Sequence, residues 1–130
     1  MIAVDSSVLV RYLVQDEPDQ ARLATAFFEE RLSDRQPGFV SLVVLLEMIW
    51  VLRRGYRRPA EDVAEAVAGL LQARQIHLEH RDAIEAALAG DAADLADRII
   101  HELGKKAGCT ETVTFDRWFA RLDGVSLLEE

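Results

Sequence analysis

The chain alternates short apolar runs with longer segments of helical periodicity, and that alternation leaves few folds open. Residues 2–4, 39–40, 76–78, 112–115 and 125–128 are apolar-rich runs too short to form a helix. Between them, apolar residues recur with helical spacing over about 8–14, 18–33, 42–54, 59–73, 81–88 and 93–106. Local punctuation agrees with these bounds. Pro18 and Pro59 open helices, Ser41 can cap the third, and Gly55 and Gly108 end helices. Short strands separated by helices are βαβ units. The expectation is therefore an α/β fold with a parallel sheet covered by helices.

Length and composition narrow this further. The chain has 130 residues, half of them hydrophobic, which suits one domain spanning 1–130 and one core. Fifteen basic against 23 acidic residues give a formal charge of -8, which argues against broad, charge-driven binding to nucleic acid or anionic membrane. The single cysteine, Cys109, excludes an internal disulfide and a cysteine-based zinc site, and it suits a reducing cytoplasm. Following a helix end, Cys109 is expected to be packed. No apolar run reaches the roughly 18 residues of a membrane span. The first residues lack a basic stretch, so no signal peptide is expected. His77, His80 and His101 show no paired ligand spacing.

The acids carry the functional signal. In an open parallel sheet, ligands bind beyond the carboxyl ends of the strands. Asp5 and Asp116 fall at such ends, and each is equally suited to capping the helix that follows. Glu47 is the only polar residue between Val43 and Leu52. A carboxylate on so apolar a helix is expected to be shielded, and so to need a cation, a proton or a partner such as Arg11 or Arg98. Asp91, Asp94 and Asp97 recur every third residue. Asp91 reads as part of a solvated first helical turn, and Asp97, one turn inside the helix, reads as a site residue. Four acids from four elements suggest one carboxylate pocket. Such a pocket needs divalent cations, and oxygen-only ligands favour Mg²⁺ or Mn²⁺ over zinc. Metals held by carboxylates are a usual apparatus for phosphodiester hydrolysis.

These residues resemble the PIN-domain ribonucleases, and within them the VapC-type toxins of toxin–antitoxin pairs. The resemblance covers nearly the whole chain. It is carried by Ile-Ala-Val-Asp-Ser-Ser-Val-Leu-Val-Arg-Tyr-Leu from Ile2, by Val-Ser-Leu-Val-Val-Leu-Leu-Glu-Met-Ile-Trp from Val40, by Asp-Leu-Ala-Asp-Arg-Ile-Ile from Asp94, and by Thr-Phe-Asp-Arg-Trp-Phe from Thr114. It implies a three-layer α/β/α domain with a central parallel sheet of about five strands. It implies catalytic and metal-binding roles for Asp5, Glu47, Asp97 and Asp116, with Asp94 as an accessory acid and Ser7 and Thr114 as auxiliary polar groups. It also implies a Mg²⁺- or Mn²⁺-dependent endoribonuclease, a homodimer, an RNA substrate and inhibition by a VapB-type antitoxin, all in the cytoplasm.

Two departures stand out. Ser7 occupies a place where the family usually has asparagine. Trp118 stands where a further acid is common, two residues after Asp116. They motivate an alternative, a degenerate PIN domain that binds RNA or antitoxin without cutting. Phosphoryl transfer through an aspartyl-phosphate is disfavoured because that chemistry needs an acid where Ser7 lies. Thirteen of the 15 basic residues are arginine, suited to bidentate phosphate contacts. Arg11, one helical turn past Ser7, is a candidate contact for substrate phosphate or antitoxin carboxylate, or else the partner of Glu47. Arg53, Arg54, Arg57 and Arg58 form either a local basic patch or a solvated helix end. Trp50, Tyr12 and Phe28 are expected in the core or at an interface.

Overall fold

The computed structural model describes residues 1–129. The fold class is α/β, with five short strands, every pairing parallel. They form two sheets, of three and of two strands. The chain divides into two compact units, Met1–Arg81 and the stretch from Asp82 onward.

The first unit runs β1 (Ile2–Ala3), α1 (Ser6–Val14), α2 (Pro18–Ala26), β2 (Gly38–Val40), α3 (Leu42–Trp50), α4 (Ala60–Gln72) and β3 (Ile76–Leu78). β2 lies between β1 and β3, with Ile2 opposite Gly38 and Val40 opposite Leu78. Gly38 is dictated by space. A Cβ there would lie 2.8 Å from a Leu32 methyl and 3.1 Å from Val4. α1, α2 and α3 each begin on a side chain that satisfies free backbone N–H groups, whereas α4 opens after Pro59 without one. Asp5 accepts from the Ser7 amide, Glu17 from Asp19 and Gln20, and Ser41 from Val44. The amide of Leu42 donates to Glu79 Oε1 at 2.9 Å, so the end of β3 helps hold the start of α3. α2 and α3 each run on into a wider turn, at Phe27–Arg31 and Val51–Gly55, which accounts for the longer helical stretches read from the sequence. Leu9, Phe28, Val40, Leu45, Met48 and Val67 are fully buried. Tyr12 packs on Phe28 with ring centroids 4.6 Å apart.

The second unit is built from α5 (Arg81–Leu88), α6 (Leu95–Lys106), β4 (Thr112–Thr114) and β5 (Val125–Leu127). β4 and β5 pair in parallel, Thr112 opposite Val125. Short 3₁₀ turns precede α6 at Ala92–Asp94 and join β4 to β5 at Phe119–Arg121. Ile84, Ala87, Leu95, Ile99, Phe119 and Val125 are buried. The guanidinium end of Arg98 lies against Gly90, where a Cβ would collide with Nε and Cζ.

Two expectations are corrected here, for Cys109 and Glu47. Cys109 is exposed rather than packed, because α6 ends at Lys106 and the chain leaves it on a turn. Of the aromatics expected in the core or at an interface, Phe28 is in the core and Trp50 is 61% exposed. Glu47 is exposed, on the side of α3 that also presents Val43 and Trp50. Among the described residues no helix is long and apolar enough to cross a membrane.

Candidate active site

In the first unit, two consecutive serines organise two acids. Asp5 leaves the carboxyl end of β1 and caps α1. Its carboxylate accepts from the Ser7 hydroxyl at 2.6 Å and from the Ser7 amide at 3.3 Å. These bonds stabilise the anion, so the Asp5 carboxyl titrates below its ordinary value, the Ser7 hydroxyl contributing most. Ser6, the neighbouring residue, points the other way. It is buried, and its hydroxyl donates a short hydrogen bond to Glu47 Oε1 on α3. The packing of α1 on α3 thus places Asp5 and Glu47 on either side of the Ser6–Ser7 pair. Glu47 needs no arginine in this arrangement, since water and Ser6 together solvate it.

Arg11 does not pair with Glu47. Its Nε donates to Gln20 at 2.7 Å, and its Nη1 donates to the Tyr56 hydroxyl at 3.0 Å and to Asp16 at 3.3 Å. The Tyr56 bond, above all, holds its pKa above the ordinary arginine value. Tyr56 in turn donates to Asp16 at 2.8 Å, which lowers the Asp16 pKa. Arg11 also borders an open cavity of about 670 Å³ beside β1, together with Asp5, Ser7, Leu23, Phe27 and Arg31. Arg53, Arg54, Arg57 and Arg58 are all exposed.

The second unit carries the other acids. Asp116 follows β4, and its Oδ1 accepts from the amides of Trp118 at 2.8 Å and Phe119 at 3.4 Å. Thr114 accepts from the Asp116 amide at 3.0 Å, so the threonine hydroxyl shapes the turn that presents the acid. Asp97, in the first turn of α6, is half-buried. Its carboxyl titrates above the ordinary value, chiefly through burial and then through the negative charges of Asp116 and Asp94. Asp94 is only 4% exposed. Its Oδ1 accepts from Trp118 Nε1 at 2.7 Å and from Arg121 at 3.0 Å. Asp91 caps the following turn through the Ala93 amide at 2.9 Å, as its place in the sequence suggested.

The donor set is carboxylate and hydroxyl oxygen, which fits a hard divalent cation in type. Burial first, and then the neighbouring carboxylates of Asp116 and Asp94, disfavour the charged form of Asp97. Among the described residues no three His, Cys, Asp or Glu side chains are gathered closely enough to hold a metal ion as they stand.

The sequence profile of the PIN domain matches residues 2–125. The chain belongs to the PIN-domain family. It is similar to a VapC ribonuclease of Aquifex aeolicus (strain VF5), at 28% identity over 125 residues, covering 94% of this chain and 92% of the relative. In this PIN domain the acids of the first unit stand on β1 and α3, and those of the second on α6 and after β4. Two residues, Ser6 and Arg121, escaped the sequence reading, as did the contact of Trp118 with Asp94. Ser6 was hidden inside a cap motif, where its neighbours explain the local structure. Arg121 and Trp118 close on Asp94, an approach that depends on the fold between residues 94 and 121. The exposed Trp at a position where the family favours an acid was the one signal available.

Proposed function

We propose that this chain is a metal-dependent endoribonuclease, the toxin of a toxin–antitoxin pair, acting as one domain over residues 1–130. The observation that carries the reading is the PIN-domain match across residues 2–125, which spans Asp5, Glu47, Asp97 and Asp116 together. The relative named a VapC ribonuclease supports the substrate class. The same relationship supports a VapB-type antitoxin, a homodimer and a cytoplasmic setting.

In this reading Asp5, Glu47, Asp97 and Asp116 hold Mg²⁺ or Mn²⁺, with Asp94 as the accessory acid. A bound ion supplies positive charge to the scissile phosphate and acidity to a water nucleophile. The chain's own residues do the rest. Ser7 fixes the Asp5 carboxylate and Ser6 fixes Glu47, so both acids are oriented before substrate arrives. Thr114 sets the backbone turn at Asp116. Asp97, whose carboxyl is held above its ordinary value chiefly by burial, is suited to accept a proton. Arg11, on the rim of the cavity beside Asp5, takes substrate phosphate or an antitoxin carboxylate.

The decisive experiment is RNA cleavage by antitoxin-free protein with Mg²⁺ or Mn²⁺, beside Asp5→Asn and Asp97→Asn. Cleavage by wild type that both variants lack supports the reading, and equal rates in all three refute it. A second reading is a PIN domain that binds RNA or antitoxin without cutting. It is favoured by Trp118 standing two residues after Asp116 and bonding to Asp94. Calorimetry with Mn²⁺ separates the two, because a folded protein that takes up no Mn²⁺ fits only the second.

A further inference from the structure

Trp118 is 55% exposed yet tightly held. Its indole N–H donates to the buried Asp94 at 2.7 Å, and its backbone amide donates to Asp116 at 2.8 Å. The guanidinium of Arg121 lies over the indole, 3.4 Å from the ring centroid, and is itself bonded to Asp94 at 3.0 Å. One carboxylate therefore fixes both the edge of the ring and the cation on its face. Phe115 (80% exposed) and the exposed Arg117 flank Asp116 in the same loop.

We propose that the free face of Trp118 is a stacking platform for one nucleobase of single-stranded RNA, next to the proposed cleavage site. The inference rests on the nuclease reading above. Three features favour a base over other occupants. The ring is already immobile, so stacking on it orders little further. Arginine and aromatic side chains interleave around it, which is the usual composition of a single-strand surface. Asp94, which holds the edge of the ring, is paired with Arg121, and that pairing offsets its charge toward an RNA backbone. An acid at position 118 would add charge toward a cation. Tryptophan there gives up that charge and offers a flat apolar surface instead.

The test is equilibrium binding of a short single-stranded RNA in Mg²⁺ by the Asp5→Asn protein, alone and combined with Trp118→Ala or Trp118→Phe. Base stacking on an aromatic is worth roughly 1–3 kcal/mol, about 5- to 150-fold in affinity. Trp118→Ala is expected to weaken binding about tenfold, and Trp118→Phe by less, since a ring remains. The second measurement walks an abasic site along the RNA. One abasic position should weaken binding to the parent protein and leave the Trp118→Ala protein indifferent, an interaction that mere misfolding of the loop does not produce. Unchanged binding in Trp118→Ala, or additive losses in the abasic series, overturns the platform while leaving the nuclease reading intact if wild type cleaves. Absence of RNA binding together with absence of wild-type cleavage overturns both.

Discussion

The hydroxyl of Ser6 donates to the carboxylate of Glu47, tying the first turn of α1 to the middle of α3. Ser6 is buried, and Glu47 is exposed. Replacing Ser6 with alanine leaves the glutamate able to regain water, so the cost to stability is small, about 0.5–1.5 kcal/mol. The larger effect falls on activity, because Glu47 loses its fixed orientation. Ser6→Ala is expected to cut RNA roughly tenfold more slowly at a nearly unchanged denaturation midpoint. Urea unfolding beside single-turnover cleavage checks this, and an unaltered rate removes Ser6 from the site.

Asp97 is half-buried and faces the carboxylates of Asp116 and Asp94, and both effects disfavour its charged form. Its carboxyl titrates above the ordinary value of 3.8, so the protonated form is favoured on folding. The sign follows directly. Its contribution favours folding below the ordinary carboxylate range and is lost as pH rises through the raised value. At neutral pH the charged Asp97 destabilises the fold. Asp97→Asn is therefore expected to raise Tm by about 2–5 °C while abolishing cleavage. Thermal scans at pH 7 and at pH 4 check it, since the gain should shrink toward acid.

The proposed metal site predicts stabilisation by divalent cations. A ligand that binds the folded state raises apparent stability by mass action. Millimolar Mg²⁺ or Mn²⁺ should raise the Tm of wild type by several degrees, and raise that of Asp5→Asn and Asp97→Asn far less. EDTA should abolish cleavage reversibly. Equal shifts in all three proteins would mean that the cations act on the surface at large.

An ordinary ion pair gives a contrasting pH dependence. Lys106 donates to Asp82 at 2.9 Å and holds its carboxyl below the ordinary 3.8. A depressed acid stabilises the fold above its unfolded value, and that contribution disappears as pH falls through the folded one. Both groups are largely exposed, so the effect is small and screened by salt. Asp82→Asn should lower Tm slightly at neutral pH in low salt, with the effect shrinking as pH falls below 3.8 and gone once pH is below the depressed value or at high ionic strength.

Much of this architecture is legible in the sequence because it is local. Asp5 and Ser41 mark helix starts by capping, and Pro18 and Pro59 by their fixed backbone, both of which need only near neighbours. The apolar stripe Val63, Val67, Leu70 and Leu71 on α4 is buried as its spacing requires. Tertiary relationships are less legible. Glu47 looked as though it needed shielding because every close helical neighbour is apolar, yet that side of α3 is open and Val43 is 73% exposed. Arg11 was a candidate partner for it by charge, but Gln20, Asp16 and Tyr56 claim its donors. The division of the strands into sets of three and two also left no trace, because each run reads alike whichever neighbour it pairs with.

Asp94 is where two roles for one acid come apart. Its Oδ1 already accepts from Trp118 and Arg121, and its side chain is almost wholly enclosed. Asp94→Ala strands the indole N–H and removes the counter-charge of Arg121, a loss of about 2 kcal/mol, reduced because Arg121 is 44% exposed to water. Asp94→Asn keeps an acceptor for Trp118 and loses about half as much. Were Asp94 mainly a metal ligand, Asp94→Asn would weaken Mn²⁺ binding as severely as Asp97→Asn. With its charge balanced by Arg121, Asp94→Asn is expected to lower Mn²⁺ affinity only a few-fold while Asp97→Asn lowers it by an order of magnitude or more. Isothermal titration with Mn²⁺ on the two variants decides between the roles, and equal losses would return Asp94 to the metal site.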